Sequence, residues 1–172
     1  MFQRKRGRWL CQLLLAALPL LVGGCNQQGK PVEEIGLEKL VKGISTEGDV
    51  IAVMGQPETV LQTEDGLRAL QYPKGPSGVR TWMFIIDNTG RMVDYRQLLT
   101  EENFALIDIG MSKEEVRHRL GRPRIVQQYK LKNEEVWDWR YQSTLGERFF
   151  NVHFDLDSGR VVSKSVTEEY GG

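Results

Sequence analysis

Ser112-Lys113-Glu114-Glu115-Val116-Arg117-His118-Arg119-Leu120-Gly121-Arg122-Pro123 repeats the pattern of Thr46-Glu47-Gly48-Asp49-Val50-Ile51-Ala52-Val53-Met54-Gly55-Gln56-Pro57 at a constant offset of 66 residues. Each copy spells one short helix. Thr46 and Ser112 are N-cap hydroxyls, and an acid three residues on, Asp49 or Glu115, suits a capping box. Val50 with Met54, and Val116 with Leu120, lie one turn apart on a single helix face. Gly55 and Gly121 are expected to supply the left-handed C′ position, and Pro57 and Pro123 prevent the helix from resuming. Self-similarity of this kind points to a duplicated structural unit.

Ahead of each helix lies a second short amphipathic segment ending in glycine, Leu37 to Gly43 and Phe104 to Gly110, with Leu40 set against Ile107. Behind each helix the pattern turns to strands. At an offset of 69, Tyr72 pairs with Tyr141, Gly90 with Gly159 and Arg91 with Arg160, and Asn88-Thr89-Gly90 and Asp157-Ser158-Gly159 read as hairpin turns. Strands are expected at 67–73, 79–87 and 91–98, and again at 134–141, 147–155 and 160–168, with 58–64 and 124–131 as extra edge strands. The expected fold is α+β: two tandem units, each helix, helix and a three-stranded antiparallel sheet with the helices on one face. Their expected bounds are 35–99 and 100–169, after a segment at 1–24 and a linker at 25–34.

Period-two alternation picks out the core. Trp137, Trp139 and Tyr141 share one strand face, and Phe150, Val152 and Phe154 share a face of the next, leaving Asn151, His153 and Asp155 on the other side. Buried aromatics are more often core than interface, so Arg140, on the far side of its strand, is the better contact candidate. Carried back by 69 residues, the outward row becomes Trp82, Phe84 and Ile86, which makes the first sheet apolar on both faces. Either the other unit or a bound partner must cover that second face, and Trp82 and Phe84 would then be partner contacts.

Arg4, Lys5, Arg6 and Arg8 precede an almost uncharged run from Trp9 to Gly24, the layout of an export signal. The run is too short for a span of about 20 apolar residues. It closes on Leu21-Val22-Gly23-Gly24-Cys25, which resembles the lipobox of bacterial lipoproteins, implying cleavage between Gly24 and Cys25 and a lipid on the cysteine. The only other cysteine, Cys11, lies inside the segment that would be removed, so neither a disulfide nor a thiolate cluster is expected. The position after Cys25 is Asn26, not the aspartate that retains lipoproteins in the inner membrane, so the periplasmic face of the outer membrane is expected. Without residues 1–24 the chain keeps 19 basic against 23 acidic residues, a balance that makes nucleic acid a poor partner.

Gly110-Met111-Ser112 through Leu120-Gly121-Arg122-Pro123, followed by Val136-Trp137-Asp138-Trp139-Arg140-Tyr141, resembles the SmpA/OmlA, or BamE-like, outer-membrane assembly lipoproteins. The first half matches more loosely, with Ile44 in place of the methionine, though Leu70-Gln71-Tyr72-Pro73 and Arg96-Gln97-Leu98-Leu99 add to the likeness. The resemblance implies a non-enzymatic scaffold subunit that binds the β-barrel assembly machinery, sits on the inner leaflet through its anchor and touches anionic phospholipid. Tandem units of this kind also resemble the repeats of β-lactamase inhibitory proteins, which leaves a binder or inhibitor of an envelope enzyme as the alternative.

Enzyme chemistry finds little support. Beyond residue 24 the histidines are His118, set among Arg117, Arg119 and Arg122, and His153 on a strand's polar side, and no metal-ligand or phosphate-loop spacing appears. No cofactor or metal is expected beyond the lipid on Cys25. Pro73-Lys74-Gly75-Pro76-Ser77-Gly78 reads as a hairpin loop whose prolines and glycines suit turning, not phosphate binding. The basic run of Arg117, His118, Arg119, Arg122 and Arg124 reads either as a solvated helix face or as a contact for lipid headgroups.

Overall fold

The computed structural model describes residues 36–168, apart from 64 and 76. The expected signal segment, Cys25, the linker and residue 169 lie outside the described residues. The described residues belong to one compact unit, Glu34–Gly172. Among them no helix is long and apolar enough to cross a membrane.

Two capping boxes start the two main helices, α1 (Glu47–Met54) and α3 (Lys113–Leu120). The Thr46 hydroxyl accepts from the Asp49 amide and the Asp49 carboxylate accepts from the Thr46 amide; Ser112 and Glu115 repeat the exchange. These bonds hold the Asp49 and Glu115 carboxyls below their ordinary pKa, the backbone amide of the cap being the largest cause at each. A carboxyl lowered on folding adds stability above its unfolded pKa and loses it as pH falls through the folded value. Glu115→Gln is therefore expected to lower the urea midpoint at neutral pH, with the gap to the parent chain closing in acid. Ser112→Ala should cost about 1 kcal/mol at either pH. A gap for Glu115→Gln that stayed constant into acid would show that the ionised carboxylate contributes nothing.

The segments ahead of these helices are shorter than expected. Leu37–Lys39 forms one 3-10 turn and α2 spans only Glu101–Ala105. The chain leaves each of them to join a sheet. Gly43 donates to Met92, and Met92 donates back to Ser45; Gly110 donates to Val161, and Val161 donates back to Met111. Leu40 and Ile107 are both buried in the core, as their pairing implied.

Each repeat carries a four-stranded antiparallel meander, not the expected three strands. The first is β1 (Thr59–Gln62), β2 (Arg68–Pro73), β3 (Thr81–Ile86) and β4 (Met92–Gln97); the second is β5 (Ile125–Tyr129), β6 (Glu134–Ser143), β7 (Gly146–Asp155) and β8 (Val161–Glu168). The extra strand is the edge segment at 58–64 and 124–131, fully paired with its neighbour. Arg91 and Arg160 fill equivalent places, each donating to the carbonyl that precedes its helix, Ile44 or Gly110.

Strand pairing corrects the register of the repeat. Thr59 faces Gln71 and Ile125 faces Asp138, an offset of 67 on β2 and β6. Gln71 faces Met83 and Asp138 faces Asn151, which makes 68 on β3 and β7. Only β4 and β8, where Met92 and Val161 are equivalent, keep 69. Each hairpin of the second repeat is one residue longer than its counterpart, and every added residue reverses the face assigned by a fixed offset. Trp82, Phe84 and Ile86 therefore correspond to Phe150, Val152 and Phe154 and face the helices. Phe84 and Ile86 are fully buried with Val50, Leu70 and Met92, and Trp82 packs half-buried against the same cluster. The outward row is Ala69, Met83 and Ile85, closed by Leu61, Leu67 and Leu98. The first sheet is apolar on both faces, as expected, but through different residues.

The second core holds every residue the alternation picked out. Trp137, Trp139, Tyr141, Phe150, Val152 and Phe154 are buried beneath α3 with Phe104 and Leu120, and Phe104 stacks on Phe150 at 4.1 Å. Trp139 donates its indole N–H to the Gly121 carbonyl at 3.3 Å. Its counterpart Tyr72 has a buried hydroxyl without a hydrogen-bond partner, and burial pushes its pKa up to about 12.

Candidate functional site

Three residues in a row along a helix point 100° apart, so Arg117, His118 and Arg119 fan around α3 instead of forming one basic face. All three are exposed. Arg122, past the helix end, turns toward the first repeat, where its Nε lies 2.8 Å from Glu58. Arg124 forms a two-pronged ion pair with Asp138 at 2.7 and 3.0 Å and lies over the Phe149 ring at 4.5 Å. Arg140 reaches the same ring from 6.0 Å and pairs with Glu147 at 2.5 Å. Phe84, buried in the core, presents no surface to a partner, whereas Trp82 is half exposed beside Tyr95.

The histidines part company. His118 offers its backbone carbonyl to the Gln71 side chain at 3.0 Å. His153 stands between Glu134 and Ser165, each at 3.0 Å, on the outward face of the second sheet. Ser165 is exposed on the strand β8, and the trio forms a polar network at the surface. Among the described residues no group of three or more His, Cys, Asp and Glu side chains could hold a metal.

A small set of side-chain contacts joins the two repeats at their junction. The Gln71 to His118 bond and the Glu58 to Arg122 pair cross it. Thr81 also crosses it, packed so closely on Gly121 that a Cβ there would fall 2.7 Å from the Thr81 methyl. The connector Gln97–Leu99 is stitched in by its own side chain: Gln97 Oε1 accepts from the Thr81 and Leu99 amides, and Gln97 Nε2 donates to the Leu99 carbonyl. A shallow cleft of about 20 Å3, open to solvent, lies there between the loop that follows Pro73 and the turn at Arg122–Arg124. Sequence reasoning met Gln71 only as part of a family likeness and passed over Thr81, so neither was read as a contact between the repeats. A signal existed, since Gln71 is a polar residue placed amid Leu70 and Tyr72, and buried polar side chains need partners.

A second charge arrangement ties each helix to its sheet. In the first repeat Glu47, the first residue of α1, pairs with Arg68 at 2.5 and 2.9 Å. In the second repeat the equivalent positions are Lys113 and Glu135, paired at 2.7 Å with the signs exchanged. Glu135 is buried and also accepts from Trp137 and Gln128 at 2.7 and 2.8 Å. Burial pushes its pKa up, but these three donors together outweigh it and hold the carboxyl below its ordinary value.

None of the curated proteins matches the chain. Among solved structures it is similar to a candidate beta-lactamase inhibitor protein from Streptococcus mutans, at 15% identity over 73% of this chain and 84% of that one, with a TM-score of 0.33. An extracellular protein containing an SCP domain from Bacillus anthracis follows at 10% identity over 85% of this chain and 50% of that one, TM-score 0.33. A DUF4309 family protein from Bacillus subtilis has 18% identity over 76% and 82%, TM-score 0.28. Residues 97–164, from the end of β4 through most of β8, match the family model of the outer membrane protein assembly factor BamE domain. The second repeat thus carries the likeness to the BamE domain.

Proposed function

We propose that this chain is an outer-membrane lipoprotein, anchored by a lipid on Cys25, that serves as an accessory scaffold subunit of the β-barrel assembly machinery. The observation that carries this reading is the BamE domain match over 97–164. The basic region, apolar run and lipobox of 1–25 support the tether, which would hold the folded repeats at the inner leaflet facing the periplasm. The work is done by protein contacts, not catalysis. Trp82, Arg117, Arg119, Arg122 and Arg140 are the proposed contact residues, with anionic phospholipid as a secondary partner of the arginines.

Affinity purification of the tagged full chain from membranes is expected to recover barrel-assembly subunits, and deletion of the gene to raise sensitivity to detergent and vancomycin. Recovery of a periplasmic enzyme alone, with normal permeability on deletion, would replace this reading with an inhibitor. Cys25→Ala is expected to release the protein from membranes, and a variant that still fractionated with them would remove the anchor.

A further inference from the structure

We infer that the open edge of β5 docks an extended segment of another polypeptide as a further antiparallel strand, apolar at alternate positions and acidic at its N-terminal end. Among the described residues β5 pairs with β6 alone. An edge left in this way presents a row of unpaired N–H and C=O groups to an extended chain. All five residues of β5 are exposed, and Ile125, Val126 and Tyr129 keep 43%, 50% and 47% of their surface. The Gln128 carbonyl accepts from the Gln127 side-chain amide at 3.3 Å, a donor that an incoming N–H can replace. The remaining edges differ. β4 and β8 each meet the segment ahead of a helix, where Gly43 donates to Met92 and Gly110 to Val161. They also carry charge, Asp94 and Arg96 on β4, Lys164 and Glu168 on β8. β1, the repeat counterpart of β5, is shorter, and its alternate residues are half-buried, with Leu61 packed against the cluster of Met83 and Ile85. Charge is a device by which natural edges refuse a partner, and none occurs from Ile125 to Tyr129.

Charge at the far end of the strand selects the occupant. Lys130 and Lys132 follow Tyr129 directly, both exposed, with the fully exposed Leu131 between them. Neither lysine has an ion-pair partner among the described residues, and the Lys132 ammonium lies 6.0 Å from the Tyr129 ring centre. A strand antiparallel to β5 begins where β5 ends, so acidic residues at its N-terminal end reach these two cations. Its apolar residues then lie beside Ile125 and Tyr129, which share the outward face of the sheet. A second copy of this chain fits less well. Symmetric pairing centred on Gln127 brings Lys130 of each copy to Arg124 of the other, where Asp138 already engages the guanidinium, so the lysine meets no acid. The inference goes beyond the assembly role, since the edge would take such a segment whatever complex the chain joins.

The test is fluorescence anisotropy with the full chain in neutral detergent and the labelled, end-capped peptide Glu-Glu-Val-Thr-Val-Thr-Val. Saturable binding is expected. Replacing the central Thr-Val by Pro-Pro should weaken it about tenfold or more: N–H groups face alternate sides of a strand, so one of the two lost must lie on the ladder. Lys130→Glu/Lys132→Glu, at two exposed positions, should exchange the preference, favouring Lys-Lys-Val-Thr-Val-Thr-Val over the acidic peptide that the parent chain prefers. Hydrogen exchange locates the contact, with amides of β5 gaining protection and those of β1 unchanged. No saturable binding, equal affinity for the proline peptide, or protection elsewhere than β5 overturns the proposal. So does protection of β5 that rises with the concentration of the chain alone, which would assign the edge to a second copy.

Discussion

Gly121→Ala is expected to destabilise the chain by about 3–5 kcal/mol, and Gly55→Ala, its repeat partner, by only about 1–3. The two glycines have nearly the same backbone, φ 77 with ψ −166 at Gly121 and φ 83 with ψ −167 at Gly55. That region is closed to residues with a Cβ, so both substitutions carry the same strain. Their surroundings differ. A Cβ at position 55 meets nothing within 4 Å, whereas at 121 it falls 2.7 Å from Thr81 Cγ2, across the repeat junction. Thr81→Ser removes that methyl, so Gly121→Ala/Thr81→Ser should recover the steric part and fall to the level of Gly55→Ala. Urea midpoints of the parent, Gly121→Ala, Thr81→Ser and the double variant close a double-mutant cycle. Equal losses at Gly55 and Gly121 would mean that the junction yields freely and that the repeats are not locked there.

That contrast shows where sequence reasoning succeeds and where it stops. Caps, helix ends and turns are local, and Thr46, Ser112, Gly55, Gly121, Gly90 and Gly159 each announce one; the two capped helices, α1 and α3, were legible for that reason. Strand faces are not local, because a face depends on every residue inserted before it. The three hairpins of the second repeat add one residue each, so an offset read at Gly90 and Gly159 misplaces the strands upstream of it. Trp82 and Phe84 were assigned outward by that slip, although the inference of a two-faced apolar sheet survived, since Met83 and Ile85 are apolar too. The junction was illegible for another reason: Gln71, Thr81 and Arg122 acquire their roles only when one repeat meets the other.

The ion pair between helix and sheet was hidden because its signs are exchanged, and for the same reason it can be tested by exchange. Glu135→Arg puts a second cation beside Lys113 in a buried place, and is expected to cost about 3–5 kcal/mol. Lys113→Glu/Glu135→Arg then recreates in the second repeat the pairing that Glu47 and Arg68 make in the first, and should recover most of that loss. Recovery should be incomplete by about 1–2 kcal/mol, because the Trp137 indole and the Gln128 amide lose the carboxylate that accepts from them. Arg68 sits more openly than Glu135, with 45% of its side chain exposed against 7%, which works in the same direction. Acid provides an independent readout. The Glu135 carboxyl is lowered on folding, so its contribution is present above the unfolded pKa and is lost as pH falls through the folded one. The single variant should therefore show its largest deficit at neutral pH and a smaller one in acid. A double variant as unstable as Glu135→Arg would mean that position 135 requires a carboxylate for its indole and amide donors, and that the opposite charge on the helix is incidental.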